Sequence, residues 1–187
     1  MKHLAIFASG NGSNAQRLID SFKESNLAQV ALVMSNKSDA YVLKRAEAAG
    51  IPWLAPGAAM MKDGPALCRT LDQYSIDFIV LAGYLLLVPA EVIQRFPHRI
   101  VNIHPALLPL YGGKGMYGDH VHRAVLADGQ KESGITIHYV TERYDEGAIL
   151  FQARCPVLPE DTVTSLAERI HVLEHRHYPQ VVAELLK

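Results

Sequence analysis

Two side chains that can stabilise a negatively charged oxygen lie two positions apart in one apolar segment. Asn102 and His104 close the run Ile100–His104, and Pro105 follows directly. Alternate residues of a strand share one face of a sheet, so an extended run places the amide beside the imidazole. Proline cannot continue a central strand, so we expect the strand to end at His104. Two hydrogen-bond donors at the carboxyl end of a strand predict a ligand site suited to acyl transfer.

The segments around this pair alternate between strand-like and helix-like patterns. We predict strands at residues 3–8, 30–34, 51–54, 78–81, 100–104, 135–140 and 148–156. We predict helices at residues 13–25, 40–49, 65–74, 89–95, 119–127 and 162–186, the last with Asp161 or Thr162 as its N-cap. Repeated β–α units predict an α/β fold, a doubly wound Rossmann-like and mostly parallel sheet. The last two strands have no helix between them, so we expect an antiparallel edge hairpin within a single domain, residues 1–187.

Composition argues against several classes of partner. The net charge is −1 with histidine neutral, which indicates neither a nucleic-acid surface nor an anionic-membrane surface. The longest apolar run, residues 78–90, contains Gly83 and Pro89 and is too short to span a bilayer. Cys68 and Cys155 suggest no disulfide framework, and the N-terminal pattern is not that of a signal peptide. We therefore expect a cytoplasmic protein, as a monomer or a homodimer.

A glycine-rich loop follows the first predicted strand. Residues Ser9–Ala15 read Ser-Gly-Asn-Gly-Ser-Asn-Ala, and such a loop at a helix N-terminus points free N–H groups at an anion. The loop fits the dinucleotide pattern G-x-G-x-x-A, but Ser35, Asn36 and Lys37 occupy the place where that motif requires an acid. We therefore expect a phosphate here rather than NAD, and the alternative is a tight turn with a serine cap.

A second glycine-rich segment, Gly112–Gly118, is not a Walker A loop. Leu108 stands where the leading glycine belongs, and Gly115 replaces the serine or threonine. Two interpretations stay open: a lid beside the end of the Ile100–His104 strand, or a plain surface connector.

The segment His171–Glu174–His175 matches H-x-x-E-H, the inverted zinc-protease motif. On a helix the two histidines would share a face, as two metal ligands should. A third ligand is needed, and Glu184 lies three turns further along the same helix, too far to close the site. A polar helix face is therefore favoured over a zinc site, and no metal is expected.

The predicted turn between the last two strands carries two acids, Asp145 and Glu146. Acids are common in such turns, where they bond to their own backbone. The functional alternative is that one of them pairs with His104 and raises the pKa of that imidazole above its usual value of about 6.5.

These segments together resemble the phosphoribosylglycinamide formyltransferase family over essentially the whole chain. The resemblance rests on residues 9–14, 81–84, 102–109, 133–140 and 145–147. Asn-x-His-Pro with a downstream aspartate marks formyltransferases in general, and Gly-Asn-Gly-Ser-Asn marks this family. The resemblance implies the formyltransferase fold. It also implies transfer of a formyl group from the cosubstrate 10-formyltetrahydrofolate to the glycine amine of N1-(5-phosphoribosyl)glycinamide (GAR) in purine (IMP) biosynthesis.

The resemblance also implies roles for individual residues. Catalysis is expected from Asn102 and protonated His104, which would hold a tetrahedral oxyanion with support from Asp145. GAR is expected to contact Gly12, Ser13, Asn14 and Glu174. Folate is expected to contact Leu85, Leu86, Leu87, Val88, Asn102, Glu142, Arg143, Tyr144 and Glu146.

The chain departs from the family pattern at the places that would hold the benzoylglutamate tail of folate. Leu85-Leu86-Leu87 stands where a Met-Arg pair is familiar, and no arginine lies near Met60–Lys62. The segment Gly112–Gly118 is also longer than the family pattern predicts.

Four other functions remain as alternatives. Within the same chemistry, the chain could be another 10-formyltetrahydrofolate-dependent formyltransferase or a formyltetrahydrofolate hydrolase, although such proteins carry an additional domain. From other classes, a nucleotide-binding module would use only the first loop, and a zinc hydrolase would use the H-x-x-E-H segment.

Overall fold

The computed structural model describes all residues of the chain, Met1–Lys187. The strands are β1 (Lys2–Phe7), β2 (Ala28–Met34), β3 (Trp53–Leu54), β4 (Phe78–Leu81), β5 (Ile100–His104), β6 (Glu132–Tyr139) and β7 (Ile149–Pro156). The helices are α1 (Ser13–Phe22), α2 (Tyr41–Ala48), α3 (Gly57–Met61), α4 (Gly64–Gln73), α5 (Ala90–Arg95), α6 (Asp119–Ala127) and α7 (Val163–Leu185).

All seven strands form one sheet, in the order β3-β2-β1-β4-β5-β6-β7. Strands β3, β2, β1, β4 and β5 are parallel, whereas β6 is antiparallel to β5 and β7 is antiparallel to β6. The predicted α/β fold with an antiparallel edge hairpin is confirmed. The strand order reverses between β1 and β4, and an open sheet of this kind binds ligands beyond the carboxyl ends of its strands at that point.

Two hydrophobic cores lie on the two faces of the sheet. Along β1, Leu4 and Ile6 enter one core while Ala5 and Phe7 enter the other, as the alternation of a strand requires. Helices α1, α2, α6 and α7 cover the first face, and α3, α4 and α5 cover the second. This double cover explains why the central strands read as continuous apolar runs.

Most predicted elements are confirmed, with differences at their ends. Strands β4 and β5 and helix α6 have the predicted bounds, and Thr162 caps α7 by accepting a hydrogen bond from the Ser165 N–H at 3.2 Å. The predicted strand at 51–54 is reduced to β3. The predicted helix at 13–25 ends at Phe22. Helix α3 was not predicted, because five residues of glycine, alanine and methionine show no periodic pattern.

Tyr178 ties the long helix α7 to the sheet below the strand ends. Its side chain is fully buried, and its hydroxyl donates to the carbonyl of Leu81 at 2.8 Å and lies 3.3 Å from the carbonyl of Val101. These carbonyls belong to the neighbouring strands β4 and β5, so this contact sets the position of α7 over the sheet.

Two further features concern the thiols and the helices. Cys68 and Cys155 are both free. None of the helices combines the length and the apolar character that a membrane span requires. The cytoplasmic location and the choice between monomer and homodimer stay predictions.

We expect Tyr178→Phe to lower the free energy of unfolding by about 1–2 kcal/mol, because it removes a buried donor and leaves its carbonyl partners short of a hydrogen bond. Urea denaturation followed by circular dichroism measures this. Tyr117→Phe is the control, since that side chain is half exposed and its change should fall within about 0.5 kcal/mol. Equal effects of the two substitutions would contradict the anchoring role.

Candidate active site

A cavity of about 760 Å³ opens beyond the carboxyl ends of β1, β4 and β5. Its walls come from the β1–α1 loop, the segment after β4, the loop before α6, the β6–β7 loop and helix α7. The predicted site residues that line it are Gly12, Ser13, Asn14, Leu85, Leu86, Leu87, Val88, Asn102, His104, Arg143, Tyr144, Asp145 and Glu174. The fold therefore gathers residues from both ends of the chain around the predicted amide–imidazole pair.

Glu142 and Glu146, which we expected to contact folate, do not line this cavity. Both residues are exposed, and Glu146 lies 3.3 Å from the Arg143 guanidinium. The chain turns at Asp145, whose φ is 58°, so successive side chains of this short loop cannot all face inward. A contact of these two glutamates with folate stays a prediction.

Asn102 is held by a histidine on the neighbouring strand. The pairing of β5 with β6 sets Asn102 opposite His138, and its Nδ2 lies 3.2 Å from the His138 Nε2. The His138 Nδ1 lies 2.9 Å from the carbonyl oxygen of Tyr139, so both ring nitrogens of His138 have polar neighbours. The contact with His138 fixes the Asn102 amide at the end of β5.

His104 is almost fully buried, with 3% of its surface exposed. Its Nε2 lies 2.7 Å from the carbonyl oxygen of Tyr111. A carbonyl only accepts, so the proton of the neutral ring is on Nε2. The other ring nitrogen, Nδ1, faces the Asp145 Oδ2 at 3.6 Å. A second proton on this ring would therefore go to Nδ1, beside the carboxylate.

The Asp145 carboxylate joins three segments at the end of the cavity. Its Oδ2 accepts a hydrogen bond from the Gly113 N–H at 2.9 Å, and its Oδ1 lies 3.5 Å from the His138 Nε2. Burial by itself raises the pKa of the carboxyl. The contacts with His138, with the charge of His104 and with Gly113 outweigh burial, so the pKa is lower than usual. Asp145 therefore remains ionised at neutral pH.

The expectation that Asp145 raises the pKa of His104 above its usual value is wrong. Burial lowers the pKa of His104, and the Asp145 charge and the Tyr111 carbonyl offset that effect only in part. Proximity of the acid was predicted correctly, but the cost of charging an imidazole excluded from water is larger than the gain from the ion pair. His104 is therefore uncharged at neutral pH.

The chain after β5 is fixed by a buried hydroxyl. The Thr136 Oγ1 donates to the carbonyl of Ala106 at 2.7 Å and accepts from the Leu108 N–H at 3.0 Å. Gln152 on β7 donates both to this hydroxyl and to the carbonyl of Leu108. Thr136 on β6 pairs with His104 on β5, so this network holds the segment that follows β5 close to His104.

The glycine-rich segment Gly112–Gly118 forms part of the site wall. Residues 113–118 line the cavity, and the carbonyl of Tyr111 and the N–H of Gly113 bond to His104 and Asp145. A plain surface connector is therefore the wrong interpretation. The lid stays a prediction.

Gly12 shapes the first loop at the start of α1. Its φ of 75° favours glycine, and a Cβ there would lie 2.5 Å from the Val42 side chain. No side chain caps α1. The first N–H groups of a helix have no partner within the helix, so those of α1 are directed at whatever ligand occupies this part of the cavity.

Glu174 places a buried carboxyl beside that loop. It is 5% exposed and accepts a hydrogen bond from the Asn14 Nδ2 at 2.9 Å. Burial raises the pKa of Glu174, and the Asn14 hydrogen bond and the charge of His171 offset part of that rise.

The rings of His171 and His175 stack with their centroids 6.0 Å apart, and no three His, Cys, Asp or Glu side chains are grouped to hold a metal.

The polar cavity residues that had no role assigned from the sequence include Lys37, His122 and His138. Residue type alone did not distinguish them from ordinary surface residues, because their positions in the cavity depend on the tertiary structure. His138 could have been found, since it lies in the segment 133–140 on which the family resemblance rests.

Residues 2–182 match the formyl transferase family. The chain belongs to this family. This formyl transferase is 40% identical over 191 residues to phosphoribosylglycinamide formyltransferase of Bacillus subtilis (strain 168), covering 100% of this chain and 95% of that protein. It is 43% identical to the chloroplastic phosphoribosylglycinamide formyltransferase of Arabidopsis thaliana, covering 98% of this chain. It spans 65% of the length of that plant protein and 61% of the one from Vigna unguiculata.

Solved structures agree with this family. A glycinamide ribonucleotide transformylase from Symbiobacterium toebii superposes on the formyl transferase with a TM-score of 0.91 and 39% identity, covering 100% of this chain and 88% of that one. The phosphoribosylglycinamide formyltransferase of Streptococcus pneumoniae TIGR4 has a TM-score of 0.89 and 37% identity, covering 100% of both chains.

We expect His104 to titrate below its usual pKa of about 6.5, and to titrate lower still in Asp145→Asn, because the substitution removes the charge that favours imidazolium. NMR titration of the ring signals measures both. His177 is the internal control, because burial and the charge of Arg176 lower its pKa and Asp145 is not among the groups that affect it. An unchanged His104 pKa in the variant would refute the pairing.

Proposed function

We propose that the chain transfers the formyl group of 10-formyltetrahydrofolate to the glycine amine of GAR, in the biosynthesis of purines. One observation carries the proposal. The Asn102 amide, the His104 imidazole and the Asp145 carboxylate line one cavity together with the glycine-rich first loop and the apolar segment Leu85–Val88. Relatives at 36–45% identity bear the name of this activity, which supports the choice of substrate.

The phosphate of GAR would bind at Gly12, Ser13 and Asn14. The N-terminus of α1 carries a partial positive charge, and its free N–H groups suit phosphate oxygens. The buried Glu174 carboxyl beside Asn14 suits ribose hydroxyls, because a carboxyl oxygen can accept their hydrogen bonds. Together these contacts would hold the glycine amine near the end of β5, which supplies the proximity effect.

The folate head would bind against the segment Leu85–Val88. This wall and the facing Val140 and Tyr144 offer apolar surface to a flat ring. Arg143 joins the same lining, whereas the two neighbouring glutamates do not. The formyl group would then lie between the folate ring and the amine, within reach of Asn102.

The reaction forms one C–N bond and breaks another. The amine of GAR attacks the formyl carbon, and the carbonyl electron pair moves to oxygen. The Asn102 amide would donate an N–H to that oxygen, and one such donor is worth about 3 kcal/mol in comparable sites. Collapse of the tetrahedral species restores the carbonyl and expels the folate nitrogen. The attacking nitrogen loses one proton and the departing nitrogen gains one.

His104 and Asp145 would manage that proton and the transient charge. His104 is neutral and has an acceptor at Nδ1, so it can take the proton that the attacking amine loses while negative charge develops on the formyl oxygen. Asp145 then stabilises the imidazolium at 3.6 Å and orders the path by which the proton returns to the departing nitrogen. These proton transfers start from a neutral His104, whereas the analysis of the amino-acid sequence predicted a protonated one.

The direct test is a coupled assay with 10-formyltetrahydrofolate and GAR, with and without a chelator. We expect formyl-GAR as product and full activity with the chelator. Asn102→Ala should lower kcat about 100-fold with a smaller effect on KM, because the oxyanion exists only in the transition state. Release of formate without formyl-GAR would instead indicate a hydrolase, and loss of activity with the chelator would indicate a metal enzyme.

We expect Ser13→Asp to weaken GAR binding at least tenfold while changing folate binding little, because a carboxylate would lie beside the phosphate. Isothermal titration of each ligand measures both affinities. Ser13→Asn is the matched control, with similar size and no charge. An equal loss for both ligands in a folded variant would contradict the placement of the phosphate.

A further inference from the structure

Helix α2 supports the glycine-rich first loop at three successive residues. The Val42 N–H, at the start of α2, donates to the carbonyl of Gly10 at 3.2 Å. The Arg45 guanidinium donates to the carbonyl of Asn11 through Nε and to the Asn11 Oδ1 through a terminal nitrogen, each at 2.8 Å. Gly12 lies directly against the Val42 side chain. Arg45 is therefore the side chain of α2 that makes polar contacts with this loop.

These contacts occupy the carbonyl groups of the loop and leave its N–H groups free. The Gly12 carbonyl accepts a hydrogen bond from the Gln16 N–H at 2.9 Å, so each carbonyl of residues 10–12 has a partner within the protein. The N–H groups of residues 12–14 donate to no acceptor of the protein. A loop binds an anion when its N–H groups, and not its carbonyl oxygens, face the ligand. The contacts with α2 therefore leave the loop in the state that an anion requires.

The Arg45 guanidinium is itself fixed in orientation. Its Cζ lies 4.9 Å from the centroid of the Tyr41 ring, and one terminal nitrogen lies 3.4 Å from the Gln16 Oε1. The side chain is half-buried and does not line the cavity. A planar guanidinium presents its N–H groups as a rigid fork, which holds the backbone oxygen and the side-chain oxygen of Asn11 at the same time. Arg45 therefore reaches the cavity only through the loop.

We infer that Arg45 is a positioning residue for the phosphate of GAR, because its fork holds Asn11 in the conformation that turns the N–H groups of residues 12–14 toward that phosphate. The inference rests on the proposed function for the identity of the ligand. Without the fork, the Asn11 carbonyl is free to turn toward the phosphate, whose negative charge repels a carbonyl oxygen. The effect falls on the affinity for GAR and not on the transfer step.

The test is steady-state kinetics of Arg45→Met with GAR and 10-formyltetrahydrofolate. We expect the KM for GAR to rise about tenfold, while kcat and the KM for the cosubstrate stay within about twofold, because the phosphate contact is the same before and during the transfer step. Arg45→Lys should give an intermediate KM for GAR, since lysine keeps the charge but lacks the fork.

Arg99→Met is the matched control. Arg99 is also half-buried, its Cζ lies 5.2 Å from the centroid of the Phe96 ring, and it donates to the carbonyl of Arg95 at 2.9 Å. It does not line the cavity, so both KM values should stay at the wild-type level.

Asn11→Ala tests whether Arg45 acts through Asn11. In the double variant with Arg45→Met, the KM for GAR should rise by less than the product of the two single effects, because both substitutions remove the same contact. A rise equal to that product would overturn the inference. A wild-type KM for GAR in Arg45→Lys would overturn it as well, because charge alone would then be sufficient. So would an equal rise of both KM values in Arg45→Met, since that indicates a general structural effect.

NMR titration of the isotope-labelled protein with inorganic phosphate separates this inference from the proposed function. We expect phosphate to shift the amide signals of residues 12–14, and Arg45→Met to weaken this binding about tenfold. If no formyl-GAR forms but phosphate binding still depends on Arg45, the positioning role stands and the proposed function fails. If Arg45→Met makes formyl-GAR with the wild-type KM for GAR, the inference is overturned and the proposed function stands. Absence of these shifts in the wild type also overturns the inference.

Discussion

The arrangement of the cavity around His104 and His138 depends on the Asp145 carboxylate. It is 10% exposed and meets His104, His138 and the Gly113 N–H, which come from β5, β6 and the glycine-rich segment. A carboxylate with so little water is stable only when such partners surround it. The same contacts fix the two imidazole rings and the wall of the cavity, so the charge and the shape of the site depend on each other.

The buried ring of His104 shows why the position of a residue does not by itself determine its protonation state. An acid lies close enough to favour imidazolium, yet exclusion of water favours the neutral ring more strongly. The balance leaves a neutral ring whose Nδ1 faces the Asp145 carboxylate. A histidine in water beside the same aspartate would have a higher pKa, because it would gain from the ion pair without the cost of burial.

Local patterns in the sequence were enough to predict the alternation of strands and helices, the edge hairpin and the common face of Asn102 and His104. These features depend on residues near one another in the chain, such as Pro105 after the strand. His138 was missed because its role depends on the register between β5 and β6, which no local pattern encodes. The position of Glu142 and Glu146 outside the cavity lining could not be predicted, because side-chain direction in a tight loop depends on backbone angles such as the φ of Asp145. The protonation of His104 depends on burial, which is a property of the whole fold.

The hydrogen bond between Asn14 and Glu174 joins residues 160 positions apart. The first loop can form once β1, β2 and α2 are present, since Val42 packs against Gly12 and Arg45 bonds to Asn11. Glu174, however, reaches the loop only after α7 docks through Tyr178. Helix α7 also supplies Leu166, Ile170 and Val182 to the core on one face of the sheet. The last helix of the chain therefore completes both the hydrophobic core and the cavity wall beside the first loop, so the stability of the fold and the shape of this wall change together.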